Sequence, residues 1–107
     1  MRIHIIMFKN VKINAYTTPN FIDIEPEVAA EQLKRSIIIN ADDDKLLAPY
    51  ENLDMYWVGD FDDIEGIFYT NSEAQFLLSP RELILQLRAE KLAKAKADAK
   101  ESEIVNS

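Results

Sequence analysis

The chain has no cysteine, only two glycines, four prolines, one histidine and one tryptophan in 107 residues. Without cysteine there is no disulfide scaffold, no thiolate metal centre and no cysteine nucleophile, which fits a reducing compartment. The two glycines, Gly59 and Gly66, flank one turn, so no glycine-rich loop is available to cradle a phosphate. Neither G-x-S-x-G nor H-E-x-x-H occurs. No apolar run reaches the roughly 18 residues of a membrane span. Arg2 and the run Ile3 to Phe8 look superficially like a signal sequence, but His4 breaks the run and no small-residue cleavage site follows. These absences predict a protein that is not an enzyme, holds no metal or cofactor and has no membrane partner.

What is present is ordinary globular composition, 48% hydrophobic and 29% charged, in one domain's length of chain. The net charge of -7 is unevenly spread. Residues 1–19 hold Arg2, Lys9 and Lys12 and no acid, whereas residues 20–75 hold fourteen acids against three bases. An acidic middle repels a phosphate backbone, so nucleic-acid contact falls to the basic N-terminal stretch or the Lys-rich C-terminal segment.

The periodicity predicts an α+β fold: a small antiparallel sheet of about four strands, one helix between the hairpins, and a C-terminal helix. Residues 2–8 alternate two apolar faces, Ile3, Ile5 and Met7 against His4, Ile6 and Phe8, as a central strand does. Residues 11–17 read as its half-buried hairpin partner, with Asn10 at the turn and Pro19 at the end. Phe21, Ile22 and Ile24 are expected to pack on the core from a connecting segment. Residues 26–39 read as a helix with Pro26 at its first position, Ala29, Leu33 and Ile37 on its apolar face, and Asn40 as its stop. Residues 41–52 read as a polar connection, and residues 53–59 as a strand whose hairpin turn lies between Asp60 and Gly66. Ser79-Pro80-Arg81-Glu82 starts the last helix, with Ser79 as cap and Glu82 completing a capping box. Leu83, Ile84, Leu87 and Leu92 give that helix its apolar face. Leu85 and Leu92, partly off this stripe, suggest an extra contact, either internal or with a second copy in a homo-oligomer. The domain is expected over residues 1–92, and residues 93–107 as a Lys/Ala-rich helical extension ending in a disordered tail from 102.

Few side chains suggest chemistry. An EF-hand loop starting at Asp60 needs an oxygen ligand where Ile64 stands, glycine where Glu65 stands and glutamate where Asn71 stands, so Asp60, Asp62, Asp63 and Glu65 read as a solvated turn. Asp42, Asp43 and Asp44 read likewise as a solvated loop, and lone His4 as a packed residue. Tyr16, Tyr56, Trp57 and Tyr69 on or beside strands either fill the core or stack unpaired bases. Tyr56 and Trp57 must point to opposite faces. Lys9, Lys12 and Tyr16 along one strand, with Arg2 and Tyr56, form the candidate surface for single-stranded DNA.

One block is more specific. In Asn52–Gly66, NLDMYWVGDFDDIEG, a strand ends in Gly59 and leads through Asp60, Phe61, Asp62 and Asp63 to a turn closed by Gly66. Upstream stand Ala15-Tyr16, Pro19, Phe21 and an Asn40–Asp44 link, and downstream a Leu-rich segment led by Pro80. This order resembles the small nonstructural protein of gokushovirus-type microviruses, phages with single-stranded DNA genomes. The resemblance covers about residues 1–88. It departs at Ala48-Pro49-Tyr50-Glu51-Asn52, where the family usually has His-Pro-Glu-Asp, and the Ala/Lys tail has no counterpart. It implies an accessory role in genome replication or packaging in the cytoplasm of the bacterial host, acting on single-stranded DNA or on a phage replication or capsid protein. It supplies no catalytic residues.

Overall fold

The structure, a computed structural model, describes residues 1–100 in full and the helical backbone on to Asn106. The disordered tail expected over 102–107 lies outside the fully described residues. An antiparallel sheet is built from β1 (Arg2–Asn10), β2 (Ala15–Tyr16), β3 (Asn20–Ile22), β4 (Leu53–Asp62) and β5 (Ile67–Leu78). Its helices are α1 (Pro26–Ile39), α2 (Asp44–Leu47) and α3 (Pro80–Asn106), with a 3₁₀ turn over Ala48–Tyr50. The class is the α+β fold expected, with one helix more than the sequence pattern showed. Strand order is β2-β1-β4-β5, and β3 pairs with β1 beside β2. β1 is thus central, as its two apolar faces require.

The helices cover one face. Ile6, Ala30 and Met55 form a buried cluster, against which Phe8, Ile22, Leu33, Trp57, Leu77 and Leu78 pack. A second cluster joins Ile37 of α1, Leu47 of α2 and Ile84 of α3, all buried. Leu33 touches both clusters.

The departures from expectation have local causes. Residues 11–14 form a turn, not a strand, because the Asn10 Oδ1 accepts from the Lys12 backbone N–H at 3.0 Å and Asn14 takes a left-handed conformation with φ 53°. Residues 41–52 contain α2, whose cap is Asp43: its Oδ1 accepts from the Leu46 N–H at 3.1 Å. The acidic run is therefore not merely solvated. Asp42 binds the Lys91 Nζ at 2.7 Å, which lowers the pKa of Asp42 and raises that of Lys91. Arg88 reaches Glu51 and Asp44. Ser79 caps α3 by accepting from the Glu82 N–H at 3.1 Å, but the Glu82 carboxylate lies by Arg81 at 3.8 Å. Leu92 is exposed because α3 has run past the core by that point, and Leu85 because it lies off the face on which Ile84 and Leu87 pack.

Three irregularities shape the sheet. Ile5 pairs with Gly59 and Ile6 with Trp57, leaving Val58 as an extra residue in β4. Leu77 is an extra residue in β5, between the pairs Tyr56–Phe76 and Met55–Leu78. Between Trp57–Gln75 and Gly59–Thr70, the four residues 71–74 of β5 oppose Val58 alone. Asn71 Nδ2 donates to the Trp57 carbonyl at 3.0 Å and secures this excursion. Gly59 is required beside it, since a Cβ there would overlap the Tyr69 carbonyl.

The β4–β5 turn is tighter than expected, spanning residues 63–66. Gly66 closes it at φ 69°. The Asp62 Oδ1 accepts from the backbone N–H groups of Ile64 and Glu65, both at 3.0 Å. The Glu65 and Ile64 hydrogen bonds hold the Asp62 carboxyl below its ordinary range. A depressed carboxylate stabilises the fold above its unfolded pKa, and the contribution disappears as pH falls through the lower folded value. The stability difference between wild type and Asp62→Asn is therefore expected to shrink on acidification below the ordinary carboxylate range. Urea midpoints measured across acidic pH check it; a constant difference refutes it.

Candidate nucleic-acid interface

The register assigns the other face of the sheet. Ile3, Ile5, Met7 and Lys9 of β1 point away from Ile6 and hence from α1. Their cross-strand partners share that face: Tyr16 opposite Lys9, Phe21 opposite Ile5, Tyr56 opposite Met7 and Phe61 opposite Ile3. From β5, Phe76 pairs with Tyr56 and Phe68 with Phe61. Six rings thus stand on a surface that the helices leave open.

The rings form two rows across the strands. Tyr16, Tyr56 and Phe76 meet edge to face, with centroids 5.9 and 5.8 Å apart. Phe21, Phe61 and Phe68 follow, at 6.2 and 4.7 Å. Mutual packing holds each row in place, and contacts of this kind add to simple burial. Much of the surface remains open to solvent, with Phe21 54%, Phe68 61%, Phe76 59% and Tyr16 45% exposed. Ile5 is buried in the floor, and Ile3 and Met7 are half-buried. The result is a contiguous, partly exposed apolar surface on the side of the sheet away from the helices.

The structure brings Lys9, Tyr16 and Tyr56 together and separates Arg2 and Lys12 from them. The Lys9 Nζ lies 5.8 Å from the centre of the Tyr16 ring. Lys9 and Tyr16 face one another across two strands, and Lys12 stands in the exposed turn between, so these residues do not run along one strand. Arg2 belongs to the helix side. Its guanidinium carbon sits 4.1 Å from the Tyr69 ring centre, and its Nη1 is 3.9 Å from the Asp60 Oδ2.

Asp60 is the centre of a separate polar cluster. It is buried and hydrogen-bonded at 2.6 Å to the His4 Nδ1, and it accepts from the Trp57 Nε1 at 3.1 Å. The His4 Nε2 lies 3.9 Å from Glu25, just before α1. His4 is thus packed, as expected, and its partner came from the acidic block expected to be solvated. Among the described residues, no three histidine, aspartate or glutamate side chains gather as a metal site.

Sequence reasoning missed Phe21, Phe61, Phe68 and Phe76. Strict alternation from Tyr56 puts Phe61 on the opposite face, with Trp57. The extra residue Val58 reverses the alternation and turns Phe61 to the open side. Phe21 read as core filling because a three-residue strand gives no periodic signal.

No known protein family, curated protein or solved structure matches this chain. No helix among the described residues is long and apolar enough to cross a membrane.

Proposed function

We propose that the protein is a non-enzymatic accessory factor of a microvirus-type phage that holds single-stranded DNA on the open face of its sheet. The carrying observation is the double row of aromatic rings, with Lys9 beside Tyr16 at one end. Unpaired bases stack on such rings regardless of sequence, at about 1–3 kcal/mol per base. The resemblance of residues 52–66 to a family from single-stranded DNA phages supports the same reading.

The electrostatics set its character. Lys9 is the cation of the face, Lys12 stands nearby in sequence, and Arg2 is engaged with Asp60. Each neutralised phosphate on single-stranded nucleic acid contributes about -0.7 to the logarithmic salt slope. Binding is therefore stacking-dominated, with a salt slope of about -0.7 to -1.4.

Anisotropy of a labelled poly-dT oligonucleotide at low and physiological salt tests the proposal. Saturable binding is expected, weakened about tenfold or more by Tyr16→Ala or Phe76→Ala. A flat titration at low salt with folded protein refutes it. The net charge of -7 and the scarcity of cations on the face favour a second reading, in which it docks a phage replication or capsid protein without DNA. Under that reading the same two substitutions abolish capture of the protein partner.

A further inference from the structure

We infer that two copies of this chain join through the outer edge of β5 at residues 67–70, extending the sheet across a two-fold axis at Phe68. β5 is the last strand of the sheet, so its outer backbone groups have no strand partner. Edges of this kind are normally blunted by charge, proline, shortness or a covering element. The opposite edge of this sheet is blunted by shortness, since β2 and β3 have two and three residues. Residues 71–74 of β5 leave the ladder, and α1 lies beside residues 75–78. Residues 67–70 have none of these protections. Their ladder to β4 is unbroken, from Asp62–Ile67 to Gly59–Thr70. Ile67-Phe68-Tyr69-Thr70 contains neither charge nor proline, and Ile67, Phe68 and Tyr69 are exposed. β-branched and aromatic residues are the types that pair well across strands.

The same length of a second copy fits this edge. No charge stands between Gly66 and Ser72, so the seam sets no like charges opposite one another. Self-pairing is isologous and closes at two copies. A two-fold axis perpendicular to the sheet keeps each face on its own side. Side chains alternate, so the axis sets opposite one another only residues whose numbers sum to an even value. Two registers fit the free length. With Tyr69 opposite Tyr69, the two Arg2 guanidiniums, each 4.1 Å from its Tyr69 ring centre, are brought together beside the axis. Like charges opposed in this way are unfavourable. With Phe68 opposite Phe68, Ile67 faces Tyr69 of the second copy and only uncharged side chains meet. The row Phe21, Phe61, Phe68 then runs on into the same row of the second copy. The paired length is about five residues, roughly 17 Å. Such a contact falls below the roughly 1,200 Å² of a standard interface, so the dimer is weak. It forms whether or not the rings bind DNA.

Sedimentation of the full chain over a concentration series up to about 1 mM is the test. The mass is expected to rise from 12.3 kDa towards twice that value, with amide exchange at 67–70 slowing in step. Phe68→Lys and Phe68→Glu each place like charges at the axis, and each alone should stay monomeric. Mixed in equal amounts, they should pair at least about tenfold more tightly than either pairs with itself. That recovery also shows that both variants are folded. The dimer is refuted if wild type remains a monomer, if either substitution leaves self-association unchanged, or if the mixture does not pair. Self-association without slower exchange at 67–70 refutes it too, and points to another contact, such as exposed Leu85 and Leu92 on α3.

Discussion

Replacing Asp54 with alanine is expected to destabilise the protein by about 2–4 kcal/mol. Asp54 is buried in β4 and ties the end of the sheet to the start of α3. Its Oδ1 accepts from the Ser79 Oγ at 2.5 Å, and its Oδ2 lies 3.3 Å from the Arg81 Nη2. Ser79 is also the α3 cap. Removing the carboxylate leaves a guanidinium, 29% exposed along its side chain, with its main buried partner gone, and its Nε already lacks one. The partial exposure of Arg81 keeps the expected loss below that of a fully buried pair. Asp54→Asn retains an acceptor for Ser79 and should lose less. Urea unfolding at unchanged m-value measures both. A loss below about 1 kcal/mol for the alanine variant would show that Asp54 does not anchor the helix.

Ile37→Ala is expected to lose about 2–5 kcal/mol, the range for truncating a buried isoleucine. Ile37 is fully buried where α1, α2 and α3 converge, against Leu47 and Ile84. The cavity opens at a junction of three helices. The control is Leu85→Ala, on an exposed part of α3, which should stay within about 0.5 kcal/mol. Equal losses at the two positions would mean that the second cluster does not hold α3.

The elements with strong local chemistry were legible in the sequence. α1 starts at Pro26 and stops at Asn40, β1 reads as central from its two apolar faces, and Ser79 caps α3. What escaped has a common physical cause, since side-chain hydrogen bonds and extra residues interrupt periodicity without leaving a pattern of their own. Leu47 is a single buried residue in a polar run, so α2 has no visible stripe. Val58 and Leu77 shift alternation by one, which moves side chains between faces. The candidate site was half legible for this reason. Lys9, Tyr16 and Tyr56 are neighbours, while Arg2 stands with His4 on the helix side of β1, beside Asp60 and Tyr69. The phenylalanines of the second row become a set only once the register is known.

α3 has a hydrodynamic consequence. From Lys91 to Lys100 every residue is exposed, and the molecule measures 73 × 27 × 23 Å with a radius of gyration of 18.7 Å. A compact chain of about 100 residues has a radius near 13 Å. Frictional drag therefore exceeds that of a sphere of the same 12.3 kDa mass. On a gel-filtration column calibrated with compact standards, one copy elutes early, where a larger globular protein is expected. Sedimentation, which reads mass and shape separately, distinguishes an elongated monomer from a true pair.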